Sequence, residues 1–133
     1  MKTRGLRNNN PGNIRRTGER WRGMAPYQPD PEYVTFVSPL WGLRALARVL
    51  RTYHERHGLK TVREIITRWA PPTENDTESY IRSVAGRLQV DPDEPLNLPA
   101  VLPELVAAIV RHENGVQPYA PELIAEGVRL AYA

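Results

Sequence analysis

The chain has 133 residues, 41% hydrophobic and 25% charged, with a net charge of +3, which is enough for one packed domain and too little for two. Having no cysteine, it offers neither a disulfide framework nor a thiolate metal site, which fits synthesis in a reducing compartment. No stretch reads as a membrane span, and Met1 to Arg16 is too basic and polar for a signal peptide, so export by an address of its own and membrane insertion are both excluded as expectations.

The charge is uneven. Residues 1–22 carry seven basic side chains against Glu19 alone, a balance of +6, while the remainder holds eleven basic and fourteen acidic groups. Such a cationic start suits a polyanion, either nucleic acid or an acidic wall polymer, and equally suits a solvated arginine-rich loop.

Residues 5–13, GLRNNNPGN, are turn chemistry: three asparagines in a row, then Pro-Gly, then Asn. Asn9, Asn10 and Asn13 either hold the loop's shape or present amides to a ligand, since each amide offers a donor and an acceptor to sugar hydroxyl or N-acetyl groups. From Asn13 to Phe36, the alternation in NIRR and YVTF predicts a small antiparallel β flap, broken by Pro26, Pro29 and Pro31. Trp21 is its candidate sugar-stacking face; Phe36 is expected to pack.

Ser38-Pro39 opens a helix with the buried stripe Leu43, Leu46, Ala47, Leu50 and Tyr53, stopped by Gly58. His54 and His57 near its end lack a third ligand, so no metal or cofactor is expected. Thr61 and Glu64 form a capping box for a short helix to Trp69, which Pro71 and Pro72 end. A further helix starts at Asp76 or Thr77 and buries Tyr80, Ile81, Val84 and Leu88, and residues 89–99 read as a surface connection. A last helix opens at Pro121.

Between them lies LPELVAAIVRHENGVQPY, residues 102–119. Leu102, Leu105, Val106, Ile109 and Val110 recur at helical spacing up to Gly115. One more helical step from Ile109 reaches Glu113, a carboxylate in line with the buried stripe at the helix's C-terminal end. Desolvation and the negative end of the helix dipole both favour the protonated acid there, the form that glycosidic cleavage asks of a general acid. The plainer reading, a glutamate reaching water at a frayed end, stands beside it. Tyr119, just beyond, joins Trp21 and Tyr80 as a candidate substrate contact.

The elements sum to a mainly α (α+β) domain over 1–133, with an Asn-rich loop and β flap in 1–37 and a helical lobe of about five helices in 38–133, leaving a cleft between them. The stretches RGLRNNNPGNIR, WAPPTENDT and HENG together resemble small phage and prophage proteins known as virion structural or lytic proteins. NNNPGNIR with Trp21 and Gly23, TFVSPLWGLRALARVLRTY and RWAPPTENDTESYI further resemble segments of bacterial N-acetylglucosaminidases and soluble lytic transglycosylases. In those enzymes the helix ending in the catalytic glutamate precedes the Asn-rich segment; here its counterpart, AAIVRHENG, lies at the far end, so the resemblance implies a circularly permuted lysozyme-like fold.

The resemblance further implies a peptidoglycan glycan-strand hydrolase or lytic transglycosylase, monomeric and cofactor-free, with Glu113 as general acid. Glu19 is the first candidate for a second carboxylate; Asp30 and Glu32 are others. A protein made in the cytoplasm without a signal would then reach the periplasm or wall by lysis, in a phage particle or through a secretion machine. The alternative is a non-catalytic virion or secretion-apparatus module that binds peptidoglycan or a partner protein. Nucleic-acid binding is not expected, since residues 1–22 carry no recognisable binding fold.

Overall fold

A computed structural model describes residues 2–133. Six helices follow in order: α1 (Arg4–Arg7), α2 (Pro39–Glu55), α3 (Val62–Trp69), α4 (Thr77–Leu88), α5 (Leu98–Asn114) and α6 (Pro121–Ala131). Local chemistry explains most of their ends. Pro39 sits in the first turn of α2, the Thr61–Glu64 capping box closes on itself, the Asp76 side chain accepts from Ser79 N, and Gly115 ends α5 in the left-handed region.

Three elements differ from the sequence expectation. The Asn-rich start contains a short helix, α1, because the Thr3 side chain caps Leu6 N and gives four residues a turn. Helix α5 begins at Leu98 rather than near Leu102; Pro99 falls in its first turn, where a missing N–H costs nothing, and Pro103 forfeits only one early bond. The β flap is corrected as well. Among the described residues it consists of two isolated bridges, Arg15 with Tyr33 and Met24 with Phe36, and no strand forms. The chain between them is held by side chains and by bonds such as Val34 N to Ile14 O (3.0 Å).

The core is built around α5. Its Leu102, Leu105, Val106 and Ile109 are fully buried against Leu43, Leu46 and Leu50 of α2, Ile65 and Ile66 of α3, and Tyr80, Ile81 and Val84 of α4. Each such aliphatic side chain taken out of water stabilises the fold by about 1.5–3 kcal/mol. Helix α6 lies close along α2: a Cβ on Gly127 would stand 2.8 Å from Leu43 Cβ. A second, smaller cluster of Ile14, Val34, Phe36 and Ala45 fixes the N-terminal segment on the other side of α2. Here too glycine permits the contact, since a Cβ on Gly42 would meet Asn9 O at 2.0 Å. The two clusters set residues 8–36 opposite the C-terminal end of α5.

Candidate functional site

The three asparagines do different work from the one their composition suggested. Asn10 is fully buried: Oδ1 accepts from Ile14 N (2.9 Å), and Nδ2 donates to Ile14 O (3.0 Å) and Val34 O (2.9 Å). Asn9 takes a positive φ of 53° and donates to Phe36 O at 3.0 Å. Both amides are committed to the backbone, so the expectation that they read a sugar is replaced by a structural role. Asn8 continues the pattern, donating to Asp30 Oδ2 at 3.0 Å.

Asp30 is the hub of this segment. Its carboxylate accepts Arg4 Nε and Nη2, both at 2.6 Å, as well as Asn8 and the backbone N–H groups of Glu32 and Tyr33. The Arg4 guanidinium, seconded by these donors, holds the carboxyl far below the usual aspartate range. That removes Asp30 as a candidate base. A depressed folded-state pKa contributes stability above the unfolded value and loses it as pH falls. Asp30→Asn is therefore expected to lower the urea midpoint at pH 7, and the gap to wild type should narrow as pH drops through about 4.

Asn13 and Tyr80 meet at Glu113. The Asn13 amide donates to Glu113 Oε1 at 3.3 Å, and the Tyr80 hydroxyl donates to Oε2 at 2.8 Å. Tyr80 OH in turn accepts Trp69 Nε1 at 3.2 Å, and its ring stacks on His112 with centroids 3.7 Å apart. Burial first, then the facing Glu113 carboxylate, raises the Tyr80 phenol far above its usual range, so it remains a neutral donor. Tyr80 is buried, which makes it a positioning residue rather than a sugar contact. Tyr80→Phe would strand both Trp69 Nε1 and one Glu113 oxygen; a loss of about 1–2 kcal/mol is expected, read as a lower urea midpoint at unchanged m.

Next to Glu113, Asn114 is buried and ties the end of α5 to the chain's start. Its Nδ2 donates to Pro11 O and Val110 O, both at 2.9 Å, and its Oδ1 accepts Thr3 Oγ1 at 2.6 Å. Glu113, half-buried, thus opens onto a cleft of about 550 Å3 between the N-terminal segment and the helices. Asn13, Glu19, Trp21, Tyr53, Trp69 and Glu74 are among its walls. Of the expected site residues, then, the structure gathers Glu113, Asn13, Trp21, Tyr80 and Glu19. It leaves Tyr119 packed on the main core outside the cleft, and Glu32 pairs with Arg4 at 3.1 Å.

Sequence reasoning passed over Trp69, His112, Asn114 and Glu74 as site residues. Trp69 and Glu74 stood in plain view in the WAPPTENDT corner, which the structure folds over the cleft. No cluster of three or more His, Asp or Glu side chains among the described residues could share a metal ion, and no helix is long and apolar enough to cross a membrane.

No known family's sequence model matches the chain. Protein P5 of Pseudoalteromonas phage PM2 is 42% identical over 127 residues, an alignment that spans 93% of this chain and 79% of the relative. The chain belongs to the Protein P5 family. Membership in the P5 family makes it a phage protein family member, in accord with the resemblance of RNNNPGNIR, WAPPTENDT and HENG to phage sequences.

Proposed function

We propose that the protein cleaves the glycan strand of peptidoglycan, with Glu113 as the general acid. The observation that carries this reading is a half-buried carboxylate at a helix end, gripped by Asn13 and Tyr80 and opening onto a cleft large enough for sugar rings. Glu113 delivers its proton to the leaving glycosidic oxygen as positive charge develops on the sugar ring. Tyr80 and Trp69, linked behind it, fix the carboxyl's direction, and Trp21 offers a ring face to the substrate.

Glu19 and Glu74 are the cleft's other carboxylates. A partner about 5 Å from Glu113 would serve as nucleophile with retention, and one beyond about 6.5 Å would activate a water with inversion. A transglycosylase route needs neither, since the substrate's own hydroxyl closes an anhydro ring.

A circularly permuted lysozyme-like fold accommodates the order of the elements. The Asn-rich segment and the acidic helix end, reversed along the chain, are neighbours in space: Thr3 touches Asn114 and Asn13 touches Glu113. That adjacency supports the permutation. Within a phage protein family, the activity would reach the wall by lysis, in a particle or through a secretion apparatus.

One feature favours a second reading. Both Glu113 oxygens already hold intramolecular donors, as a purely structural carboxylate in a virion module that binds peptidoglycan or a partner protein would. The test is release of soluble fragments from purified peptidoglycan by wild type and Glu113→Gln, with analysis for reducing or anhydro ends. Release by wild type alone supports cleavage; release by neither leaves the binding module.

A further inference from the structure

The cleft does not stop at Trp21. A second hollow of about 460 Å3 shares Glu19, Trp21, Val49 and Tyr53 with it and continues along α2, where Arg48, Arg51 and Arg56 line it. We propose that this continuation is a cationic subsite taking carboxylate groups borne by the same glycan strand whose sugars occupy the Glu113 cleft, an inference that rests on the reading above.

The charges in the hollow are not balanced. Arg51 pairs with Glu55 at 2.9 Å and donates to Ala131 O at 3.0 Å, so its place is fixed. Arg48 donates to Ala131 O at 3.2 Å, yet neither it nor Arg56 has a carboxylate within ion-pair distance among the described residues. One turn before Arg48, Arg44 keeps a buried Nε with no hydrogen-bond partner. Burial, then the Arg22 and Arg48 charges, lowers its pKa, so cation crowds cation on this side of α2. An arriving anion relieves that repulsion and gains charge-assisted hydrogen bonds.

The arrangement also selects the anion. Carboxylates of the protein punctuate the groove: Glu113 and Glu74 at one end, Glu19 on the shared wall, Glu55 at the other. A nucleic acid, with a phosphate at every residue, would set charge against each of them. A glycan carries neutral sugars past Glu19 and Glu113 and presents carboxylates only at intervals, from its peptide stems or from lactyl groups whose stems have been removed. The arginines meet the second kind of strand.

The experiment uses the Glu113→Gln chain, so that the probe survives, and measures binding to soluble glycan strands in three forms: intact with stems, the same with every carboxyl amidated, and stripped of stems by an amidase. Intact strands should bind about tenfold more tightly than amidated ones. Arg48→Gln with Arg56→Gln should bring that ratio near one, and the corresponding lysine pair should restore most of it, while circular dichroism reports that each variant is folded. Affinity kept by stem-free strands, whose lactyl groups the amidase has freed as carboxylates, extends the site to those groups; affinity lost with the stems assigns it to the peptides. Equal binding of intact and amidated strands, a preference that survives the glutamine pair, or tighter binding of a single-stranded oligonucleotide would overturn the subsite. Wild type that fails to cleave, beside a preserved carboxylate preference, sinks the catalytic reading and keeps the subsite; cleavage without preference does the reverse.

Discussion

Glu113→Gln is expected to lower the rate of glycan cleavage by about a thousandfold, the ordinary worth of a positioned general acid. Glutamine has the same size and keeps an acceptor for Tyr80 OH, so the fold should survive with an unfolding temperature within a few degrees of wild type. The loss should fall on kcat, because a proton delivered in the transition state adds little to ground-state binding. Muropeptide release from purified walls, followed by chromatography, measures it. Activity undiminished in the variant would remove Glu113 from the chemistry.

The largest effect on stability is expected at Asn10, which lies behind the cleft wall and does not line it. Its amide satisfies three backbone groups in a site without solvent access. Asn10→Ala leaves Ile14 N and Val34 O without partners, takes one of two donors from Ile14 O and opens a small cavity, a combined cost of about 3 kcal/mol. For a chain of this size that corresponds to roughly 12 °C in unfolding temperature, measurable by circular dichroism or calorimetry. Asn9→Ala removes a single amide bond at a half-buried position and puts alanine in the left-handed region, and should cost about 2 kcal/mol. A reversal of that order would mean that the loop is held mainly by its backbone.

The contrast between these two residues marks where sequence stopped being legible. Rules that depend on neighbours within a turn read well: the Thr61–Glu64 box, the Pro39 and Pro121 starts and the Gly115 stop all lie where their local chemistry places them. Helical periodicity likewise carried Glu113 to the edge of the buried stripe, because register propagates without tertiary help. Nothing in NNN distinguishes Asn10, which is sealed in the core, from Asn9, which makes a single amide bond at a half-buried position. That difference is made by Phe36 and Val34 arriving from elsewhere in the chain. The expected strands failed for the same reason. YVTF alternates as a strand should, but Asp30, Arg4 and Asn8 tie down the segment before it with side-chain bonds, and only isolated bridges form.

Two bonds at the end of α5 span almost the full chain: Thr3 reaches Asn114 and Asn13 reaches Glu113, 111 and 100 positions apart. Helices α2, α3 and α4 can form locally while a nascent chain is still emerging from the ribosome, but closing so long a loop waits for α5 and adds its entropy last. The cleft that Glu113 lines is therefore completed late, only when the chain's beginning has docked onto its last third.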